Sequence, residues 1–186
     1  MNNDSKWIIV RIDGKIAAIS TDYRHLASIT ARLARNGKAR FNEISAKIAD
    51  FEEVWQIKQT ATWEDLLLFG TEFQKKVWRK LWELSEAKTK LISYSDFAEL
   101  CQNRAGVRAV AHAIGLNPVS VIIPCHLVVP KESIDKIKEI KRKAEATIFK
   151  GDDLCINSIL DDNSIDFGEY ALGRKLKREL IKKELA

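Results

Sequence analysis

β-Branched residues crowd positions 7–12, an Asp13-Gly14 turn pair follows, and a second apolar stretch returns over 15–20. That pattern predicts a β-hairpin. From there the apolar spacing becomes helical. Leu26, Ile29, Thr30 and Leu33 fall on one face of a helix over 23–36, which Gly37 would end. Residues 41–59 carry no chemical motif, and their periodicity allows a further helix around 43–54. A small α/β unit is expected over residues 1–62.

A more helical section is expected over 63–186. Thr71 is placed to cap a helix whose apolar positions Phe73, Val77, Trp78 and Leu81 share a face. Ser93, with Asp96 three residues on, resembles a capping box that opens a helix running to about Cys101. After a short linker, 102–105, a second helix is expected over 106–116, and the two together make the outline of a helix-turn-helix. Asn117-Pro118 signals a turn, and the unbroken apolar run 119–123 reads as a buried strand or extended segment. Beyond Pro130 the chain is charge-rich, with Ile134, Ile137, Ile140 and Ala144 at helical spacing. A turn-rich acidic stretch, 151–168, leads to a closing amphipathic helix over 172–184.

At 186 residues, with 46% hydrophobic and 31% charged positions, the composition is that of a globular protein with material for a buried core. Lys and Arg outnumber Asp and Glu by 31 to 26, a mild excess that suits a polyanionic partner such as nucleic acid. The three cysteines, Cys101, Cys125 and Cys155, form no CxxC pair, which argues against a disulfide framework and a cysteine zinc site. A reducing compartment is expected: the cytoplasm, or the nucleus in a eukaryote. No signal-peptide or membrane-spanning run is found, so no membrane association is expected.

Chemistry concentrates at Ile123-Pro124-Cys125-His126. A free thiol is mostly protonated at neutral pH, and a neighbouring imidazole is a usual means of raising its thiolate fraction. Successive residues of an extended strand point to opposite faces, so Cys125 and His126 can cooperate only if the backbone bends there or a water bridges them. Pro124 favours a bend. Taken alone, the dipeptide is more often a buried structural cysteine beside an incidental histidine than a reactive pair. Cys101, within a helix, and Cys155, in an acidic loop, read as structural, as do His25 and His112.

The segment 106–129, GVRAVAHAIGLNPVSVIIPCHLVV, closely resembles the active-site region of the O6-alkylguanine-DNA alkyltransferases. Gly70-Thr71-Glu72-Phe73-Gln74-Lys75-Lys76-Val77-Trp78 resembles that family's GTxFQxxVW entry segment, and Ile92-Ser93-Tyr94 its ISY segment. The resemblance covers residues 70–130 strongly and 169–184 moderately. It implies a small α/β N-terminal domain followed by a mainly helical, winged-helix-like C-terminal alkyltransferase domain. The implied activity is single-turnover transfer of a methyl or other alkyl group from O6 of guanine in double-stranded DNA to Cys125.

In that picture His126, acting through a water and oriented by Glu184, draws the thiol proton; Glu184 stands fourteen residues after Tyr170, as the family pattern requires. Tyr94 would face N3 of the departing guanine. Asn117 would brace the turn before the nucleophile. Arg108 would enter the base stack in place of the extruded nucleotide, while Ser93, Ala109 and Gly115 lie along the minor-groove contact. Val128, Tyr170 and Ala171 would line the alkyl pocket. No cofactor or metal is implied, and a monomer is expected.

Two departures stand out. Leu127 occupies the position of the family's arginine after Cys-His, removing one charge beside the nucleophile. Residues 130–169, about forty, replace a short loop that forms one wall of the pocket, leaving an insertion over 131–168. Its cluster Lys136, Lys138, Lys141, Arg142 and Lys143 reads first as a solvated helix face and second as an extension of DNA contact. Leu172, in place of a small residue, is expected to narrow the pocket. The competing reading from another class is a non-catalytic protein that recognises alkylated bases and recruits other factors; the presence of Cys125 favours chemistry.

Overall fold

The computed structural model describes residues 6–35, 41–87, 91–147 and 159–185. Gly37, Cys155 and the side chains of Thr30, Leu33 and Ala144 lie outside what is described. Two compact units emerge: Met1–Lys88 with Arg108–Cys125, and Thr89–Val107 with His126–Ala186.

In the first unit, β1 (Trp7–Ile12) and β2 (Lys15–Ser20) form the expected hairpin. Its turn holds Asp13 at φ 47 and Gly14 at φ 78, the left-handed pair that a two-residue hairpin loop demands and that Asp-Gly tolerates. The helix α1 (Tyr23–Arg35) follows, with Leu26 and Ile29 buried beside Ala18.

The helix expected around 43–54 is corrected. Residues Ile44–Ala49 form β3, antiparallel to β1, which gives the sheet order β2-β1-β3. Only then does α2 (Phe51–Thr60) begin, capped by Asp50, whose Oδ1 accepts the Glu53 amide at 2.8 Å. The free edge of β1 decided the matter. Asp13 accepts the amides of Asn42 and Glu43, both at 2.9 Å, and so delivers the chain into register beside that edge.

The helix α3 (Glu72–Glu86) opens as expected at Thr71, with a full capping box: Thr71 accepts the Gln74 amide and Gln74 accepts the Thr71 amide. Gly70 is required here, because a Cβ would come within 2.7 Å of both the Gln74 side chain and the Trp78 ring. Val77, Trp78 and Leu81 are fully buried, and the Trp78 indole donates to the Ala113 carbonyl at 2.8 Å. That bond ties α3 to α5 (Val107–Gly115).

In the second unit a short strand β4 (Ile92–Ser93) pairs in parallel with β5 (Val128–Val129). Ser93 caps α4 (Tyr94–Leu100) by accepting the Asp96 amide at 3.1 Å. Cys101 ends that helix, buried, and the chain turns through Gln102 at φ 58. The inserted segment has its own core. The helices α6 (Lys131–Thr147) and α7 (Arg174–Leu185) pack Ile137 and Ile181 against Val129, Ile159, Leu160, Ile165 and Phe167.

Arg178 holds the irregular stretch before α7 in place. Its guanidinium donates to the carbonyls of Leu160, Asp162 and Ile165 and lies 4.9 Å from the centre of the Phe167 ring. Arg174 pairs with Asp166 and Glu169, and its hydrogen bond holds the Glu169 carboxyl below the usual carboxylate range. Arg178→Ala strips three carbonyls of one shared donor. It should cost about 1–3 kcal/mol, seen as a fall in Tm of roughly 2–4 °C per kcal/mol and as earlier proteolytic cutting within residues 161–173.

Candidate functional site

The site residues begin at the end of α5. Instead of a strand, residues 117–123 form a fully buried turn, which corrects the extended expectation. Val119 makes one parallel bridge to Ile19, the Ile123 amide then turns back to the Val119 carbonyl at 3.1 Å, and Val121 adopts φ 74. For a β-branched residue that left-handed conformation costs about 1–3 kcal/mol of strain.

What overrides the β preference of the run is Asn117. Its Oδ1 accepts the Val119 amide at 3.0 Å, and its Nδ2 donates to the carbonyls of Ile123 at 2.9 Å and Val119 at 3.4 Å. The same Nδ2 lies 3.1 Å from Cys125 Sγ. A donor aimed at sulfur stabilises negative charge there and fixes the thiol against the turn. Asn117→Ala leaves buried carbonyls unsatisfied and should cost about 2–4 kcal/mol in urea unfolding.

After Pro124 the Cys125 amide closes on the Ile123 carbonyl at 2.8 Å, and Cys125–Leu127 form a single 3-10 turn. The backbone therefore bends at the dipeptide, one of the two arrangements expected to let the thiol and its neighbouring imidazole cooperate. Cys125 is 6% exposed. His126 is fully buried, and its Nε2 lies 3.0 Å from Glu184 Oε1 on α7, across 58 positions of sequence. With Nε2–H donating to the carboxylate, the Nδ1 lone pair is the basic one.

Tyr94, first residue of α4, is half-buried, and the ammonium of Lys177 lies 5.7 Å from its ring centre. Lys177 is 1% exposed and donates to the Val128 carbonyl at 2.8 Å and the Glu169 carbonyl at 3.4 Å. Sequence reasoning missed this lysine. The available signal was its spacing: it precedes Leu180 and Ile181 by three and four residues, on the buried strip of α7. A charge so enclosed is carried only with partners, here the carbonyl of Val128 and that of the residue before Tyr170.

The remaining expected residues divide by exposure. Arg108, Ala109 and Gly115 stand exposed along one side of α5, with His112 beside them, while Val110, Ala113 and Ile114 are buried behind. Ser93 is buried, its hydroxyl engaged in the α4 cap and within 2.8 Å of Ser95 Oγ. Val128 is fully buried, Tyr170 half-buried and Ala171 exposed. Leu127 is 2% exposed, so this position takes part in packing. His25 meets Ser20 Oγ at 3.0 Å, and among the described residues no group of three histidine, cysteine or acidic side chains is arranged for a metal.

Residues 72–147, which include Asn117, Cys125 and His126, match the family model described as the DNA binding domain of 6-O-methylguanine DNA methyltransferase. Over those residues the chain is similar to that methyltransferase family. Individual relatives point the same way. A protein of Acanthamoeba polyphaga mimivirus named as a probable methylated-DNA–protein-cysteine methyltransferase is 48% identical over 69 residues, 37% of this chain and 45% of that protein. The inducible methylated-DNA–protein-cysteine methyltransferase of Bacillus subtilis is 50% identical over 62 residues, 33% of this chain and 34% of that protein. The chain thus spans less than half the length of these relatives. The O6-methylguanine-DNA methyltransferase structure from Pyrococcus kodakaraensis aligns over 97% of this chain and 92% of its own, with a TM-score of 0.59 and 20% identity. That likeness is one of fold: a small N-terminal sheet followed by a mostly helical remainder.

Proposed function

We propose that this chain repairs alkylated DNA by moving a methyl group from O6 of guanine to Cys125, once per molecule. The observation that carries the reading is the buried thiol held by the Asn117 carboxamide, next in sequence to a histidine that a carboxylate orients. In the reaction Sγ attacks the methyl carbon, an S–C bond forms, and the C–O6 bond breaks. His126 takes the thiol proton through a water, with Glu184 stabilising the imidazolium. Tyr94 donates toward N3 of guanine as negative charge builds on the leaving base.

A guanine inside a duplex hides O6 from in-line attack, so the nucleotide must leave the stack. The exposed side of α5 is suited to this: Ala109 and Gly115 permit close approach to the minor groove, and the exposed Arg108 can enter the gap. The helix-turn-helix reading of α4 and α5, action as a monomer, and a cytoplasmic or nuclear setting belong to this same proposal. Pocket lining by Val128, Tyr170 and Ala171 belongs to it as well, and with Leu172 present, slow reaction with O6-benzylguanine is expected.

The test is incubation with duplex DNA containing O6-methylguanine, followed by peptide mass spectrometry. One methyl on Cys125, saturating at one per protein, supports the proposal. Tight lesion binding with no methyl gained overturns it in favour of recognition alone.

A further inference from the structure

We propose that the cleft between α6 and the end of α7 binds an amphiphile with a medium-length alkyl chain and one anionic head group. The cleft measures about 370 Å³, within the range of roughly 300–1,000 Å³ typical of small-molecule sites. It lies wholly in the second unit, does not include Cys125, His126 or Glu184, and is independent of the alkyl-transfer reading.

Its floor is apolar and permanent, because Ile137 and Leu160 belong to the core of the inserted segment. Leu91, Ile134 and Leu185 form half-buried walls on that core. Such a surface favours an apolar occupant, since every methylene moved from water onto it contributes.

One end of the cleft is cationic. Ile134, Ile137, Lys138 and Lys141 follow at helical spacing on one strip of α6, so the apolar strip ends in two ammonium groups. Of the neighbouring basic residues, Lys143 pairs with Glu139 at 2.6 Å, and Lys182 with Asp161 and Glu179. Among the described residues neither Lys138 nor Lys141 meets a carboxylate. A neutral apolar ligand would leave both cations unused, and a nucleic-acid backbone has nothing to place on the leucine and isoleucine walls. A fatty carboxylate satisfies both ends.

The test uses the full chain and sodium decanoate, read by calorimetry and by displacement of 1-anilinonaphthalene-8-sulfonate fluorescence. Affinity should rise about three- to fourfold per methylene from hexanoate to decanoate, and decanol should bind roughly tenfold more weakly than decanoate. A Lys138→Glu, Lys141→Glu double variant, altered only on the surface, should weaken decanoate about tenfold or more. Ile134→Trp should block the cleft. Co-sedimentation with phosphatidylcholine vesicles carrying oleate separates the sources: pelleting assigns the ligand to a membrane, and binding of free decanoate alone to a soluble fatty acid. Absence of chain-length dependence, or equal decanoate affinity in the double variant, would overturn the proposal. So would a double variant that loses duplex DNA affinity while keeping decanoate, which would make the lysines phosphate contacts.

Discussion

Replacing Cys125 by alanine should abolish methyl transfer entirely while leaving the fold and the binding of a methylated duplex intact. The sulfur supplies the electron pair that forms the new S–C bond in the proposed reaction, and alanine has none to give. The cost to the fold should be small, about 1 kcal/mol, because the substitution removes one buried atom from a wall otherwise unchanged. Lesion affinity should be retained, since the residues proposed to meet DNA lie along the exposed side of α5 and not in the turn that holds the thiol. Serine should do almost as badly as alanine. A hydroxyl has the right position but remains protonated and weakly nucleophilic without the low-pKa chemistry of sulfur. Single-turnover transfer from a radiolabelled O6-methylguanine duplex, with a parallel binding titration, separates the two effects. Transfer persisting in the alanine variant would move the acceptor away from Cys125.

The second large effect is expected at Glu184. Glu184→Gln keeps an oxygen within reach of the His126 Nε2–H but removes the negative charge, so ring orientation persists while stabilisation of the imidazolium is lost. Transfer should slow about 10- to 100-fold, and by as much as about 10⁴-fold if the imidazole turns over. The loss should fall on the maximal single-turnover rate rather than on lesion affinity. Glu184→Ala should be slower still and less stable, because it leaves a buried ring nitrogen without its carboxylate. Equal rates for wild type and Glu184→Gln would reduce the pair to a structural contact.

Local signals in the chain were legible wherever they are satisfied within a few residues. The Asp13-Gly14 turn, the Thr71 capping box and the Ser93 cap all formed where the residue types predicted them. Their hydrogen bonds span two or three positions, and no distant partner is needed. The β3 strand failed that test. Its identity depends on an open edge of β1 more than thirty residues away, and a window around 44–49 cannot see that edge. Asp50 with Glu53 was a cap signal for α2 that the helical periodicity obscured.

The candidate site shows the same division. The sequence by itself determined the identities that carry chemistry: a cysteine followed by a histidine after proline, an asparagine eight positions before the cysteine, and a glutamate near the end of the closing helix. It also determined that the two side chains could cooperate only through a bend or a bridging water. Only the tertiary structure decided that residues 117–123 turn instead of extending, because the Asn117 carboxamide outcompetes β propensity once it is buried and its donors must be met. Only the fold brought Glu184 to His126, and only the fold buried Lys177 beneath the Val128 carbonyl. The physical reason is common to all three. Caps and turns are satisfied by neighbours in sequence, whereas a buried charge or carboxamide is decided by which distant groups arrive to satisfy it.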